Sequence, residues 1–213
     1  MFEGFENVHE VAHPIITHKL AQMRNKKTDS KNFRELVQEI GMLMTYEAGK
    51  NFPTVDVDVE TPLMTCHTKI LDEKNFVVVP ILRAGLALAD GVLKILPNAS
   101  IGHIGLYRDE TTHNPIEYYS KMPENLDEKI LLVTDPMLAT GGSCSAALKM
   151  LKDKGAKKII LMCIVSAPVG IRKVASDHPD VPIYLAAIDD GLNEDCYILP
   201  GLGDAGDRIF GTL

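Results

Sequence analysis

From Thr134 to Ser143 the chain reads Thr-Asp-Pro-Met-Leu-Ala-Thr-Gly-Gly-Ser, a carboxylate followed at short range by two hydroxyls and two adjacent glycines. The apolar residues 130–133 lead into it, and residues 144–154 continue with helical character. The segment therefore carries an acid and a small-residue cradle from the end of a buried strand to the start of a helix. Such a junction suits an anionic sugar phosphate, because free backbone N–H groups and the positive end of the helix dipole meet the phosphate. Gly141 and Gly142 let the backbone approach closely, and the Thr140 and Ser143 hydroxyls add donors. An ordinary strand–helix turn with a capped helix is the plainer alternative, but such turns rarely carry Asp, Thr, Gly, Gly and Ser together. No G-x-x-x-x-G-K-S/T pattern occurs, which disfavours a P-loop kinase.

Two other motifs fail on their context. His9-Glu10-Val11-Ala12-His13 spells the zinc-protease H-E-x-x-H, yet Pro14 follows directly and pushes His13 away from helical backbone angles. An exposed or capping histidine pair is the better reading. Gly201-Leu202-Gly203-Asp204-Ala205-Gly206 spells G-x-G-x-x-G, but a dinucleotide fold needs a helix, a further strand and an acid about 20 residues on. Only seven residues follow Gly206. Residues 192–210 crowd Gly, Asp and Asn, with Tyr197, Ile198, Leu199, Ile209 and Phe210 as anchors. A backbone that approaches a small planar ligand closely is favoured there over a flexible tail.

The elements that must position these groups follow from hydrophobic rhythm. Ser30 or Asn32 can cap a helix in which Phe33, Leu36, Val37, Ile40, Leu43 and Met44 recur at helical spacing. Residues 55–60 alternate valine with acid, as in a half-exposed strand near a sheet edge. Residues 76–82, 101–107, 130–134, 159–165 and 183–188 are apolar strands with helical segments between most of them. That alternation predicts a parallel sheet covered on both faces, with ligands at the carboxyl ends of its strands. Arg83, Arg108 and Asp135 each stand just past such an end. Residues 109–128 break the rhythm as a polar excursion with Tyr118 and Tyr119, either a lid or partner-reaching arm or an inert loop.

The chain has 213 residues, 46% of them hydrophobic and 24% charged, which fits one globular domain. A net charge of −7 argues against a nucleic-acid partner and requires an anionic ligand to be caught by local arginines and backbone dipoles. Cys66, Cys144, Cys163 and Cys196 show no metal or C-x-x-C spacing, as expected of reduced thiols in a cytoplasmic protein. The acidic start lacks the basic and apolar regions of a signal peptide, and no apolar run approaches the roughly 20 residues of a membrane span.

With these residues on the page, the chain resembles the uracil phosphoribosyltransferases among the type I phosphoribosyltransferases. The resemblance rests on residues 133–145, on Val79-Pro80-Ile81-Leu82-Arg83-Ala84-Gly85-Leu86, on Gly105-Leu106-Tyr107-Arg108-Asp109-Glu110, on Gly191-Leu192-Asn193-Glu194, and most strongly on residues 200–212. His13-Pro14, His18-Lys19-Leu20 and Phe33-Arg34-Glu35-Leu36 extend it, while residues 51–75 match least. Many relatives in the wider superfamily carry two adjacent acids in the loop. Here Pro136 follows Asp135, as in the uracil branch, so metal handling cannot be copied from the two-acid enzymes.

The resemblance implies an α/β fold of the type I phosphoribosyltransferase kind, a mainly parallel sheet with helices on both faces, a small C-terminal hood and a protruding arm. It implies a single domain over 1–213, with a core near 70–190, an arm near 109–128 and a base-binding tail near 190–213. The implied reaction joins uracil to 5-phospho-α-D-ribose 1-diphosphate (PRPP), giving UMP and diphosphate. On the same ground Asp135 holds the ribose hydroxyls, residues 138–143 (Leu138, Ala139, Thr140, Gly141, Gly142 and Ser143) cradle the 5′-phosphate, and Pro136 and Met137 belong with them to the PRPP-binding residues. Arg83 and Arg108 neutralise the diphosphate, and Ile198, Gly203, Asp204 and Ala205 hold uracil. Mg²⁺ arrives mainly with PRPP, with Asp204 as a direct or water-bridged partner. A homo-oligomer, dimer or tetramer, and GTP as an effector are also implied, with no nucleic acid or membrane partner. The rival readings are an RNA-binding regulator of pyrimidine genes on the same fold, which lacks a basic face here, and an enzyme for another base. Orotate would call for a basic group in the base pocket, where the tail offers Arg208 alone.

Overall fold

The computed structural model describes residues 2–108 and 115–212, with Arg108 and Pro115 described by their backbone alone. In chain order the elements are β1 (Val8–Glu10), α1 (Pro14–Arg24), α2 (Ser30–Ala48), β2 (Thr54–Glu60), β3 (Thr65–Leu71), β4 (Phe76–Leu82) and α3 (Gly85–Ile95). Then come β5 (Ser100–Ile101), β6 (His103–Arg108), β7 (Pro115–Lys121), β8 (Ile130–Thr134), β9 (Met137–Leu138) and α4 (Gly142–Asp153). The remainder is β10 (Lys158–Ser166), α5 (Pro168–Asp177), β11 (Ile183–Ile188), β12 (Gly191–Leu192), β13 (Ile198–Leu199) and α6 (Ala205–Phe210).

The main sheet runs β1-β11-β10-β8-β4-β6-β7, with β5 beside β4 and β9 beside β10. All its pairings are parallel except β6 with β7. The apolar runs are continuous because both faces are buried. Phe76, Val78, Ile130 and Leu132 pack with α1, α2, α3 and α6, while Val77, Val79, Leu131 and Val133 pack with α4 and α5. Period-2 alternation of strand side chains makes this division, and each half buries a separate core.

Helix α2 buries the predicted stripe, with Phe33, Val37, Ile40 and Met44 fully inside. Its cap differs from the expected Ser30 or Asn32. Asp29 stands at the N-cap and its carboxylate accepts from the Asn32 amide at 2.8 Å, the charged acceptor next to the dipole's positive end prevailing. The strand expected near a sheet edge over residues 55–60 lies instead in a separate antiparallel hairpin of β2 with β3. Val55, Val59, Leu63, Met64 and Ile70 stand exposed on it. Of residues 109–128, Asp109 to Asn114 lie outside the described residues, and β7 pairs back on β6, with Tyr118 against Gly105.

The C-terminal segment is tied to the N-terminal helices. Arg24 at the end of α1 donates to Asp189 Oδ2 at 2.7 Å and to the Gly201 carbonyl at 2.6 Å, and Asp189 Oδ2 also accepts from the Gly201 amide at 3.0 Å. The Asp189 side chain is only 4% exposed. Arg34 donates to the Ile209 carbonyl at 2.6 Å, and Arg208 donates to the Asn25 carbonyl at 2.7 Å while its guanidinium covers the Phe33 ring. Among the described residues no helix is long and apolar enough to cross a membrane.

Removing one partner of a buried pair strands a charge, at a cost of about 3–5 kcal/mol. Arg24→Ala is therefore expected to lower unfolding free energy by about that amount, read from urea denaturation, and to loosen residues 189–201 first in hydrogen exchange.

Candidate active site

Strand β8 ends where Thr134 donates its hydroxyl to the Gly85 carbonyl at 3.0 Å. The next residue keeps its amide in the sheet, Asp135 N donating to the Met162 carbonyl. Pro136 then turns its carbonyl onto the Ile164 and Val165 amides, at 3.1 and 3.0 Å, so one acceptor meets two donors and the strand kinks before β9 resumes beside β10. The kink leaves the Asp135 side chain out of the ladder. Its Oδ1 accepts from the Met137 amide at 3.2 Å.

Gly141 then enters α4 with φ of 80°, left-handed backbone that glycine adopts without strain. A Cβ there would also meet the Gly170 carbonyl at 2.8 Å. Gly141 offers no side-chain cap to α4, and Thr140 Oγ1 accepts from the Gly142 amide only at 3.5 Å, so the N–H groups beyond it are left for an anion.

Opposite this loop stands the hood, made of the β12–β13 hairpin and α6. Asn193 Oδ1 accepts from the Asp195 and Tyr197 amides, at 3.1 and 2.8 Å, and turns the chain so that Cys196 takes φ of 65°. Asp204 caps α6 by accepting from the Asp207 amide at 2.9 Å.

Loop and hood enclose a pocket of about 290 Å³ lined by Asp135, residues 137–144, residues 195–198, Gly203 and Asp204. Of the expected residues, Asp135, Met137, Leu138, Ala139, Thr140, Gly141, Gly142, Ser143, Ile198, Gly203 and Asp204 meet there. Pro136 does not line the pocket, because its carbonyl is spent on β10. Ala205 is fully buried beneath the pocket at the start of α6. The Arg108 side chain lies outside the described residues.

Arg83 is not on the pocket wall. Its guanidinium lies 3.6 Å from Asp207 and over the Phe210 ring at 5.3 Å, on the outer side of α6, and its side chain is 56% exposed. Arg208, the one basic group the tail offered to the base pocket, points instead to Phe33 and Asn25. The anchors of the tail also divide, Ile198 and Ile209 being buried whereas Tyr197, Leu199 and Phe210 are exposed.

Sequence reasoning missed Asp195 and Cys196 as wall residues, took Tyr197 only for an anchor, and placed Cys144 at the helix start beside the phosphate loop, where it lines the pocket. The Asn193 turn set between apolar Leu192 and Ile198 is the signal that finds the first two. His9 lies in β1 against the Tyr184 ring, while His13 caps α1 by accepting from the Ile15 amide. This is the capping role, and among the described residues no cluster of three or more His, Cys, Asp or Glu could hold a metal.

The pocket's electrostatics centre on Asp135. Burial pushes its pKa up to about 7, against the pull of the Met137 amide and the Cys144 thiol, and the negative charge of Asp204 adds to the rise. A helix start acting alone makes a thiol ionise more easily. The reverse holds for Cys144: the adjacent Cys163 and burial push its thiol well above the ordinary value.

The chain matches the family model described as uracil phosphoribosyltransferase over residues 10–212. It is 56% identical over 205 residues to a protein named uracil phosphoribosyltransferase from Clostridium novyi, covering 96% of this chain and 98% of that protein. A protein of the same name from Dictyoglomus thermophilum is 58% identical over 202 residues, covering 95% and 98%. Among solved structures, the AQ2163 protein from Aquifex aeolicus superposes with a TM-score of 0.91 at 37% identity, over 95% of this chain and 97% of that one.

A carboxyl whose folded pKa exceeds its unfolded one binds more protons when folded, so it costs stability as pH rises from about 4 to about 7. Asp135→Asn removes that cost. Its melting temperature is expected to exceed the unmodified chain's at pH 8, by about 2–4 °C for each kcal/mol recovered, with the gain shrinking as pH falls through about 7 and vanishing below about pH 4. Thermal melts across that range check it.

Proposed function

We infer the working of this site from one premise: the chain belongs to the uracil phosphoribosyltransferase family. It transfers the phosphoribosyl group of PRPP to uracil, giving UMP and diphosphate, in pyrimidine salvage. Its fold is that of the type I phosphoribosyltransferases. The proposal concerns which residues do the work.

In this transfer the bond from C1 to diphosphate breaks as uracil N1 attacks, and positive charge gathers on the ribose. No protein nucleophile is needed. The site must align the two reactants and stabilise the departing diphosphate. The single observation that carries the assignment is that the phosphate-type loop and the hood wall face each other across one pocket with Asp135 between them.

In our reading the 5′-phosphate sits on the uncapped start of α4 with Thr140 and Ser143, and Asp135 accepts from the ribose hydroxyls. Uracil lies against Ile198, with the backbone of Gly203 and Asp204 matching its donor–acceptor edge and Ala205 buried behind them. Cytosine presents the opposite pattern and would leave buried polar groups unpaired. Arg83 and Arg108 clamp the diphosphate with forked donors. Arg83 leaves Asp207 to do so, a short step for an exposed side chain in a long ion pair.

Mg²⁺ fits this donor set as an ion that arrives on PRPP. The described residues offer no cage of three or more ligands, and three carboxylates, Asp135, Asp195 and Asp204, line one pocket with no cation among its described wall residues. When bound it would neutralise charge on the diphosphate, and Asp204 would hold it directly or through water. We also assign a homo-oligomer, dimer or tetramer, supported by the apolar face of the β2–β3 hairpin, and a cytoplasmic setting. GTP as an effector rests on the family resemblance alone.

Radiolabelled base incorporation tests the function, with uracil expected to exceed cytosine, orotate and hypoxanthine by orders of magnitude. Incorporation of another base at a comparable rate overturns the base assignment. Arg108→Ala is expected to cut turnover about tenfold or more; unchanged kinetics remove it from the site. Leu63→Asp with Met64→Asp is expected to lower the mass seen by light scattering, and an unchanged mass rejects the hairpin as the interface.

A further inference from the structure

Asp135 carries two carboxylate oxygens, and each meets a donor from its own loop. Oδ1 accepts from the Met137 amide at 3.2 Å, and Oδ2 lies 3.8 Å from Cys144 Sγ, within reach of a thiol donor. Cys144 is the third residue of α4 and 2% exposed. Its helix is fixed on the sheet through fully buried Ala147, Leu148 and Leu151. We propose that Cys144 is a positioning residue for phosphoribosyl transfer, its buried thiol holding Asp135 Oδ2 so that the carboxylate presents itself, oriented and ionised, to the ribose. The proposal deepens the reading that Asp135 meets the ribose hydroxyls and rests on it.

The charged and titratable groups around Asp135 act in opposite senses. From α4, Cys144 donates to it. From β10, fully buried Cys163 lies against the Cys144 thiol. From the N-cap of α6, the Asp204 carboxylate disfavours a second negative charge nearby. The thiol itself is pushed upward by Cys163 and by burial, which favours its protonated, donating form. An amide from the loop fixes one oxygen, and a side chain from the helix fixes the other. Together they set the carboxylate plane, which one donor alone leaves free to rotate.

The experiment is the pH profile of kcat/KM for PRPP in the unmodified enzyme, Cys144→Ala, Cys144→Ser and Asp135→Asn. Loss of the donor disfavours the charged carboxylate. Cys144→Ala should therefore move the acid limb upward by about half a pH unit, lowering kcat/KM about threefold at pH 6 and converging with the unmodified enzyme near pH 9. Cys144→Ser, which keeps a donor, should restore the limb. Limbs that superimpose for the unmodified enzyme and Cys144→Ala, while Asp135→Asn loses PRPP binding, overturn this proposal alone. A Cys144→Ser limb displaced as far as that of Cys144→Ala overturns it too. If Asp135→Asn leaves KM for PRPP unchanged, the ribose reading falls and the proposal falls with it. Should Cys144→Ala fail to fold, the Raman S–H stretch absent in Cys144→Ser decides. A hydrogen-bonded frequency that shifts in Asp135→Asn supports the proposal, and an unshifted one overturns it.

Discussion

Asp189 leaves the end of β11 with its carboxylate almost sealed from solvent, and Arg24 grips both of its oxygens. Everything in the hood depends on that pair. The same carboxylate holds the Gly201 amide, and the same guanidinium holds the Gly201 carbonyl. Gly201 is thereby pinned from both sides of its backbone, at φ of 59° and with the Ile198 carbonyl occupying the space a Cβ would need. Ile198 and Gly203 stand on either side of this fixed point and supply the pocket's second wall. A buried pair contributes little net stability against an apolar replacement, but it sets one geometry among many. Here the geometry is that of the pocket's second wall, which in the proposed reading meets a small planar base.

The first wall obeys a different constraint. Asp135 has to leave the sheet without breaking it, and Pro136 makes this feasible by giving its one acceptor to two amides of β10. The carboxylate then sits where burial and Asp204 resist its charge. That tension is characteristic of sites built to receive a ligand, since a polyhydroxylated ligand with its cation relieves what the protein alone leaves unbalanced. The two walls belong to opposite faces of the sheet, α4 on one and α6 on the other, so the pocket straddles the carboxyl edge between them.

Much of this was legible in the residues. The strands Phe76–Leu82, Ile130–Thr134 and Ile183–Ile188 stand where continuous apolar runs place them, because two-sided burial leaves no ambiguity about which residues face inward. The loop from Asp135 to Ser143 announces itself by residue type. What the sequence conceals is direction. Arg83, Arg108 and Arg208 read alike as free cations near a site, yet Arg208 covers Phe33 and Arg83 rests on Asp207, choices made by partners far away in the chain. The hairpin of β2 and β3 was misjudged for a related reason. Its valine–acid alternation specifies a strand with two unlike faces but says nothing about which sheet receives it. The Asp29 cap was hidden by two equally good capping residues beside it.

The Arg24–Asp189 pair also orders events in time. Its partners are 165 residues apart, and Arg208 meets the Asn25 carbonyl across 183 residues. On a ribosome α1 and α2 emerge early with their apolar stripes complete, and must wait for α6 before Phe33 and Arg34 find their cover. Such long closures are slow, and they leave sticky surface exposed meanwhile. The sheet can assemble and the phosphate loop can form while the base wall is still unmade. A nascent chain of this protein can thus be folded at its centre before the hood closes the pocket, and in the proposed reading it becomes selective for the base only once α6 has docked.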